Sequence, residues 1–87
     1  MEWDEKARRA FVRAFSPMPP TIRRRAMKEI AREIEKRAEG RDAEKVEMED
    51  VFIISRKTLK KKASFMYDSL VEALKTEGFD IEKYEFS

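Results

Sequence analysis

A double-proline corner followed by a long helical pattern constrains this chain more than any other feature. Residues 17–40 read PMPPTIRRRAMKEIAREIEKRAEG. Prolines precede the pattern, where a missing N–H costs nothing, with Thr21 as a possible N-cap, and Gly40 stands where a helix can end. Apolar residues recur at every fourth position, and two more widen the stripe. The stripe consists of Ile22, Ala26, Ile30, Ile34 and Ala38, with Met27 and Ala31 beside it. The pattern predicts a central helix at about 21–39.

The segments on either side are predicted to cover this stripe. Residues 2–16 have acids in the first turn and apolar side chains at helical spacing, as expected for a first helix. A helical pattern also runs from about residue 49 to 77, either continuous or broken near 60–62, although its first apolar run is also compatible with a buried strand. We therefore predict an all-α domain of three to four helices. It comprises residues 1–78, followed by an apolar and acidic tail, 79–87, that docks on the domain or on a partner.

The composition excludes several classes of site. The chain is 44% charged and 41% hydrophobic, which predicts a thin core under an ion-paired surface, a pattern common in heat-tolerant proteins. It contains no Cys and no His, so disulfides, thiolate metal sites and the commonest general base are absent. We predict neither enzymatic activity nor a cofactor. No apolar run approaches the roughly 20 residues that span a bilayer, and no signal-peptide pattern opens the chain, so we expect a cytoplasmic protein.

Three consecutive arginines are the first candidate binding site. Arg23, Arg24 and Arg25 lie in the first turn of the predicted central helix, where cations oppose the helix dipole. A local conflict of this kind is typical of a functional position. Free helix N–H groups beside arginines suit a phosphate or a partner's carboxylate. The alternative interpretation is a solvated or internally paired cluster.

A second basic run and two tail aromatics complete the candidate residues. The basic run, with Arg56 at its start, is suited by charge to nucleic acid or anionic lipid, or it is a solvated helix face. The aromatics are candidates for contact with a partner protein. The basic run consists of Lys57, Lys60, Lys61 and Lys62, and the tail aromatics are Tyr84 and Phe86.

Several segments together resemble a known domain. They are Trp3 with Ala7, the corner formed by Pro19 with Ile22-Arg23, Ile34-Glu35 with Ala38 and Gly40, and Val46-Glu47-Met48-Glu49-Asp50-Val51. This combination is similar to the small C-terminal domain of the B subunit of light-independent protochlorophyllide reductase. The match covers about residues 2–55, and the second helix here is about one turn longer than in the family.

The resemblance implies an all-helical module, either fused to the reductase or standing alone. It does not imply catalysis, because the reductase's cluster and substrate site lie in other domains. We therefore expect an accessory module that binds another protein, with a reductase complex as one candidate partner.

A second resemblance leads to a different function. A short helix, a long central helix and a Val46-x-x-Glu49-Asp50-Val51 segment before the next helix are similar to the histone fold. That fold implies an obligate dimer that binds nucleic acid through basic helix faces. The proline corner and the net charge of only +2 favour the first resemblance.

Overall fold

The computed structural model describes residues 1–85, with the side chains of Lys62 and Glu85 left aside, and confirms the predicted all-α class. Two short strands accompany five helices. In chain order the elements are β1 Glu2–Trp3, α1 Glu5–Ala14, α2 Pro20–Gly40, β2 Lys45–Val46, α3 Met48–Lys62, a 3₁₀ turn Ser64–Met66, α4 Tyr67–Thr76 and α5 Glu82–Glu85.

The ends of α2 differ in detail from the sequence prediction. The N-cap is Pro19 and Pro20 is the first helical residue, so Thr21 lies inside the helix and does not cap it. Proline suits this position because the first helical N–H has no partner within the helix. Gly40 is the last helical residue, and the left-handed conformation falls on Asp42, with φ 57°. Aspartate tolerates that region better than most side chains.

The long helical pattern after residue 48 is broken, and its first apolar run is helical rather than a strand. α3 ends at Lys62, and Ala63 adopts φ −154° and ψ 66°, which no helix can contain. The chain then makes the 3₁₀ turn and starts α4 in a new direction. Gly78, with φ 91°, follows the end of α4, as its position in the sequence predicts.

The four longer helices pack side by side in pairs. α1 packs mainly on α4, α2 packs on α3, and α3 also contacts α4. Parallel pairing of β1 with β2 aligns Trp3 with Val46 and joins the start of the chain to the segment before α3. The Trp3 Nε1–H also donates to Glu35 Oε2 at 2.7 Å. The largest fully buried apolar side chains are Phe15, Phe52, Ile34, Leu59, Met66, Leu70, Leu74, Val46 and Val51.

Only the C-terminal part of the α2 stripe is buried. Ile30 and Ile34 are 7% and 0% exposed, whereas Ile22 is 58% exposed. One physical reason is the spacing, and the other is that α3 ends before it reaches Ile22. An α-helix turns about 100° per residue, so a residue at every fourth position drifts by about 40° per step. Ile22 therefore lies about 120° around the helix from Ile34, outside the arc that faces the core.

The described part of the tail packs on the domain. Ile81 is 3% exposed, and the rings of Phe79 and Tyr84 stack with their centroids 5.3 Å apart. Both rings also contact Phe52 of α3. Phe86 lies outside the described residues. Within residues 1–85, no helix is long and apolar enough to cross a membrane.

Candidate functional site

Helix α2 is longer than helix α3, and its first turns extend past the C-terminal end of α3. Arg37 of α2 pairs with Asp50 of α3, and Ile30 and Thr58 line one groove, so the two helices run antiparallel. This register places the end of α3 beside about residue 26. α2 has 21 residues and α3 has 15, a difference of about 9 Å at 1.5 Å per residue. The first turns of α2 therefore project past α3.

The two basic segments meet at this same end of the molecule. Residues 20–28 carry four basic and no acidic side chains, and residues 56–66 carry five and none. We call this region the basic end. It is defined by Ile22, Arg24, Arg25, Lys57, Lys60, Lys61 and Phe65, all of which are exposed.

The basic end also exposes two large apolar side chains. Ile22 is 58% exposed on the projecting part of α2. Phe65 is 72% exposed in the 3₁₀ turn that follows α3. A phenylalanine buries far more apolar area than most side chains when it is covered, so leaving one in water forgoes a substantial stabilisation. Apolar side chains surrounded by charged ones mark interaction sites on many proteins.

The candidate cations have different roles in the structure. Arg23 Nη1 donates to the Ser16 carbonyl oxygen at 3.1 Å and so ties α2 to the proline corner. The Lys60 ammonium lies 5.2 Å from the centre of the Tyr67 ring. Arg24 and Arg25, by contrast, have no ion pair with any carboxylate among the described side chains. Of the three arginines, these two are the ones available to a partner.

The candidate Tyr84 lies at the opposite end of α2. Its hydroxyl donates to Glu49 Oε1 at 2.8 Å, and Glu49 lies 3.9 Å from Arg37 Nη1. Arg37 follows Arg23 by fourteen residues, or about 21 Å along the helix axis. Arg23–Arg25 and Tyr84 therefore do not form one surface.

A buried charge network occupies that opposite end. Asp50 is fully buried and accepts hydrogen bonds from both Arg37 and Arg41, the latter through Nε at 2.8 Å. It also accepts the Glu47 backbone N–H at 2.9 Å, completing a capping box at the start of α3. The network joins the last turns of α2 to the first turn of α3. The sequence pattern gave no indication that Asp50 would be buried.

Two carboxylates should make the stability fall in acid. Burial opposes ionisation of Asp50, but hydrogen bonds from Arg41, the Glu47 N–H and Arg37 outweigh it and lower the pKa of Asp50. The hydrogen bond from Arg9 lowers the pKa of Glu77. A lowered folded-state pKa gives stability that is complete above the unfolded-state pKa, about 4, and is lost as pH falls through the folded-state value.

We therefore expect the urea midpoint of unfolding, followed by Trp3 fluorescence, to fall progressively as the pH is lowered below about 5. The variant Asp50→Asn should show a shallower fall, because one of the two carboxylates is gone. An unchanged midpoint across this range would contradict the ionic account of the network.

Comparisons of the chain with protein-family models, with characterised proteins and with solved structures found no match. In the part of the chain that the structure describes, no group of acidic, His or Cys side chains could hold a metal ion. The basic end is therefore the feature on which a function can be argued. The sequence showed that residues 20–28 and 56–66 are basic. It did not show that Phe65 is exposed or that the fold brings these two segments to the same end of the molecule.

Proposed function

We propose that this chain is a non-catalytic module that binds another protein through its basic end. The observation that carries the proposal is the exposure of Ile22 and Phe65 at the same end as Arg24 and Arg25, which have no ion pair with a described carboxylate. Apolar anchors inside a charged rim are the usual composition of a protein-binding surface. The resemblance to the small domain of protochlorophyllide reductase supports an accessory role and makes a reductase complex one candidate partner.

The charge of the surface indicates an acidic partner. Arg24, Arg25 and the exposed lysines near the end of α3 give this end of the molecule a positive charge, which would repel a basic surface and steer an acidic one. Mutation of exposed charges in such a region is expected to change the rate of association most strongly.

The test is co-purification of the tagged chain from its source cells after chemical cross-linking. We expect a defined partner to be retained by the wild-type chain and depleted at least about tenfold, equivalent to 1.4 kcal/mol, by the double variant Arg24→Glu/Arg25→Glu. The matched control is Arg8→Glu/Lys36→Glu, which reverses two exposed charges away from the basic end. Equal recovery with both variants would contradict the proposal.

Nucleic acid is the second candidate ligand, favoured by one specific observation. The fold brings both basic segments to one end with Phe65, whose exposed ring could stack on a base. Titration of a labelled single-stranded and a duplex oligonucleotide across salt concentrations decides this. Binding that weakens steeply with salt and is lost in Arg24→Glu/Arg25→Glu would support it, and no binding at low salt would exclude it.

A further inference from the structure

We propose that the flank of α2 beyond the end of α3 binds an acidic amphipathic helix of the partner, lying roughly where a longer α3 would continue. This inference rests on the proposed function and specifies the kind of partner that the basic end recognises.

The flank in question is the one that α3 covers further along α2. Arg37 marks this direction, because it contacts Asp50 of α3. At about 100° per residue, Ala26 lies about 20° and Ile22 about 60° around the helix from Arg37. Ile22 and Ala26 thus continue the α2 side of the α2–α3 interface.

Helix α3 does not extend far enough along α2 to cover Ile22 and Ala26. α3 ends at Lys62, beside about residue 26, and the non-helical backbone at Ala63 leads the chain through the 3₁₀ turn into α4. Ala26 is consequently half-buried and Ile22 is 58% exposed. A helix laid against this flank would bury Ile22 by the same kind of packing that buries Ile30.

The charges beside the flank specify the occupant. Arg25 lies one turn from Ile22 on α2, and Lys60 and Lys61 are exposed near the end of α3. An occupying helix therefore needs apolar side chains on one face and carboxylates on either side of them. An apolar helix stripe in a groove with charged flanks is a common mode of peptide recognition.

A second copy of this chain fits this requirement poorly. The apolar face of α4, with Leu70, Ala73 and Leu74, is buried in its own domain. The acidic α5 has four residues, and Ile81 before it is buried as well. Nucleic acid would satisfy the cations but would leave Ile22 without an apolar partner. The observations favour a helix from a different protein.

The experiment uses a labelled peptide of about 18 residues, long enough to form an isolated helix. Leucines occupy one helical face and glutamates flank them. Two further peptides provide comparison: one has the same composition in scrambled order, and the other has lysine for glutamate. Fluorescence anisotropy measures affinity, and amide NMR shifts of the labelled protein locate the contact.

We expect the patterned acidic peptide to bind at least about tenfold more tightly than either comparison peptide, with shifts around Ile22, Ala26 and Lys61. Ile22→Asp should weaken binding at least about tenfold without changing the thermal midpoint, since the side chain is exposed. Val12→Asp is the matched control, because Val12 is 53% exposed on α1 and should not affect binding.

Equal affinity for the scrambled peptide, shifts confined to other surfaces, or no effect of Ile22→Asp would each overturn the inference. Self-association of the protein alone that Ile22→Asp abolishes, measured by sedimentation, would also overturn it and assign the flank to a second copy. If the peptide fails while the cross-linked complex still depends on Arg24 and Arg25, the proposed function stands and only the helix inference falls.

Discussion

Replacing Asp50 with alanine is expected to lower the free energy of unfolding by about 3 to 5 kcal/mol. The substitution removes a fully buried carboxylate and leaves Arg37 and Arg41 without their shared partner. It also removes the side-chain half of the capping box that accepts the Glu47 N–H. Each loss acts on the same junction between α2 and α3. Because small domains are stable by about 5 to 15 kcal/mol in total, this variant should be close to unfolded at moderate temperature.

Urea unfolding followed by Trp3 fluorescence and by far-ultraviolet circular dichroism measures the effect. Glu33→Ala is the matched control, because it removes a carboxylate from an exposed pair with Lys36 and should change the free energy of unfolding by less than about 0.5 kcal/mol. If Asp50→Ala were no more destabilising than this control, the network would not hold α2 against α3, and the relative position of the two basic segments would have to be explained otherwise.

Replacing Phe52 with alanine is expected to cost about 3 to 5 kcal/mol as well, for an apolar reason. Phe52 is fully buried in α3, and its ring lies 5.6 Å from the ring of Phe79 and 5.8 Å from that of Tyr84. The Arg56 guanidinium lies 5.0 Å from the centre of the same ring. Truncation therefore opens a cavity beneath the tail and removes the surface on which the two tail rings pack.

Phe65→Ala is the control of matched chemistry, since Phe65 is 72% exposed, and its free energy of unfolding should stay within about 0.5 kcal/mol of the wild type. Limited proteolysis adds a second readout, because release of the tail should accelerate cleavage near Phe79 in Phe52→Ala but not in Phe65→Ala. Similar stability losses in the two variants would contradict the burial of Phe52 beneath the two tail rings.

Substitutions of the exposed apolar residues at the basic end separate stability from function. Phe65 and Ile22 contribute little to the fold because water already surrounds them, so their substitution tests the basic end in a folded protein. Asp50 and Phe52 act at the opposite end of the α2–α3 pair or within the core. If substitutions of Ile22 or Phe65 weaken the binding of a partner and mild substitutions of Asp50 or Phe52 do not, the basic end is the contact surface.

The sequence by itself determined the class of the fold and most helix positions. Proline has no N–H to donate and fixes its own φ, so the corner before α2 follows from local chemistry alone. The apolar spacing likewise predicted the helices, and Gly78 marked the end of α4. These features depend on residues within one or two turns of each other, which is the range over which a sequence pattern is informative.

The tertiary structure alone decided which parts of those helices face water. A stripe at every fourth residue winds around its helix, and the position and length of α3 decide that Ile34 is covered while Ile22 is not. The break at Ala63 sets that length, and the antiparallel packing of α2 and α3 brings two basic segments, more than twenty-five residues apart in sequence, to one end. The packing of α2 on α3 also buries Asp50 beside Arg37 and Arg41. A carboxylate can be buried only where oppositely charged side chains pair with it, and here those side chains come from another helix and its C-cap.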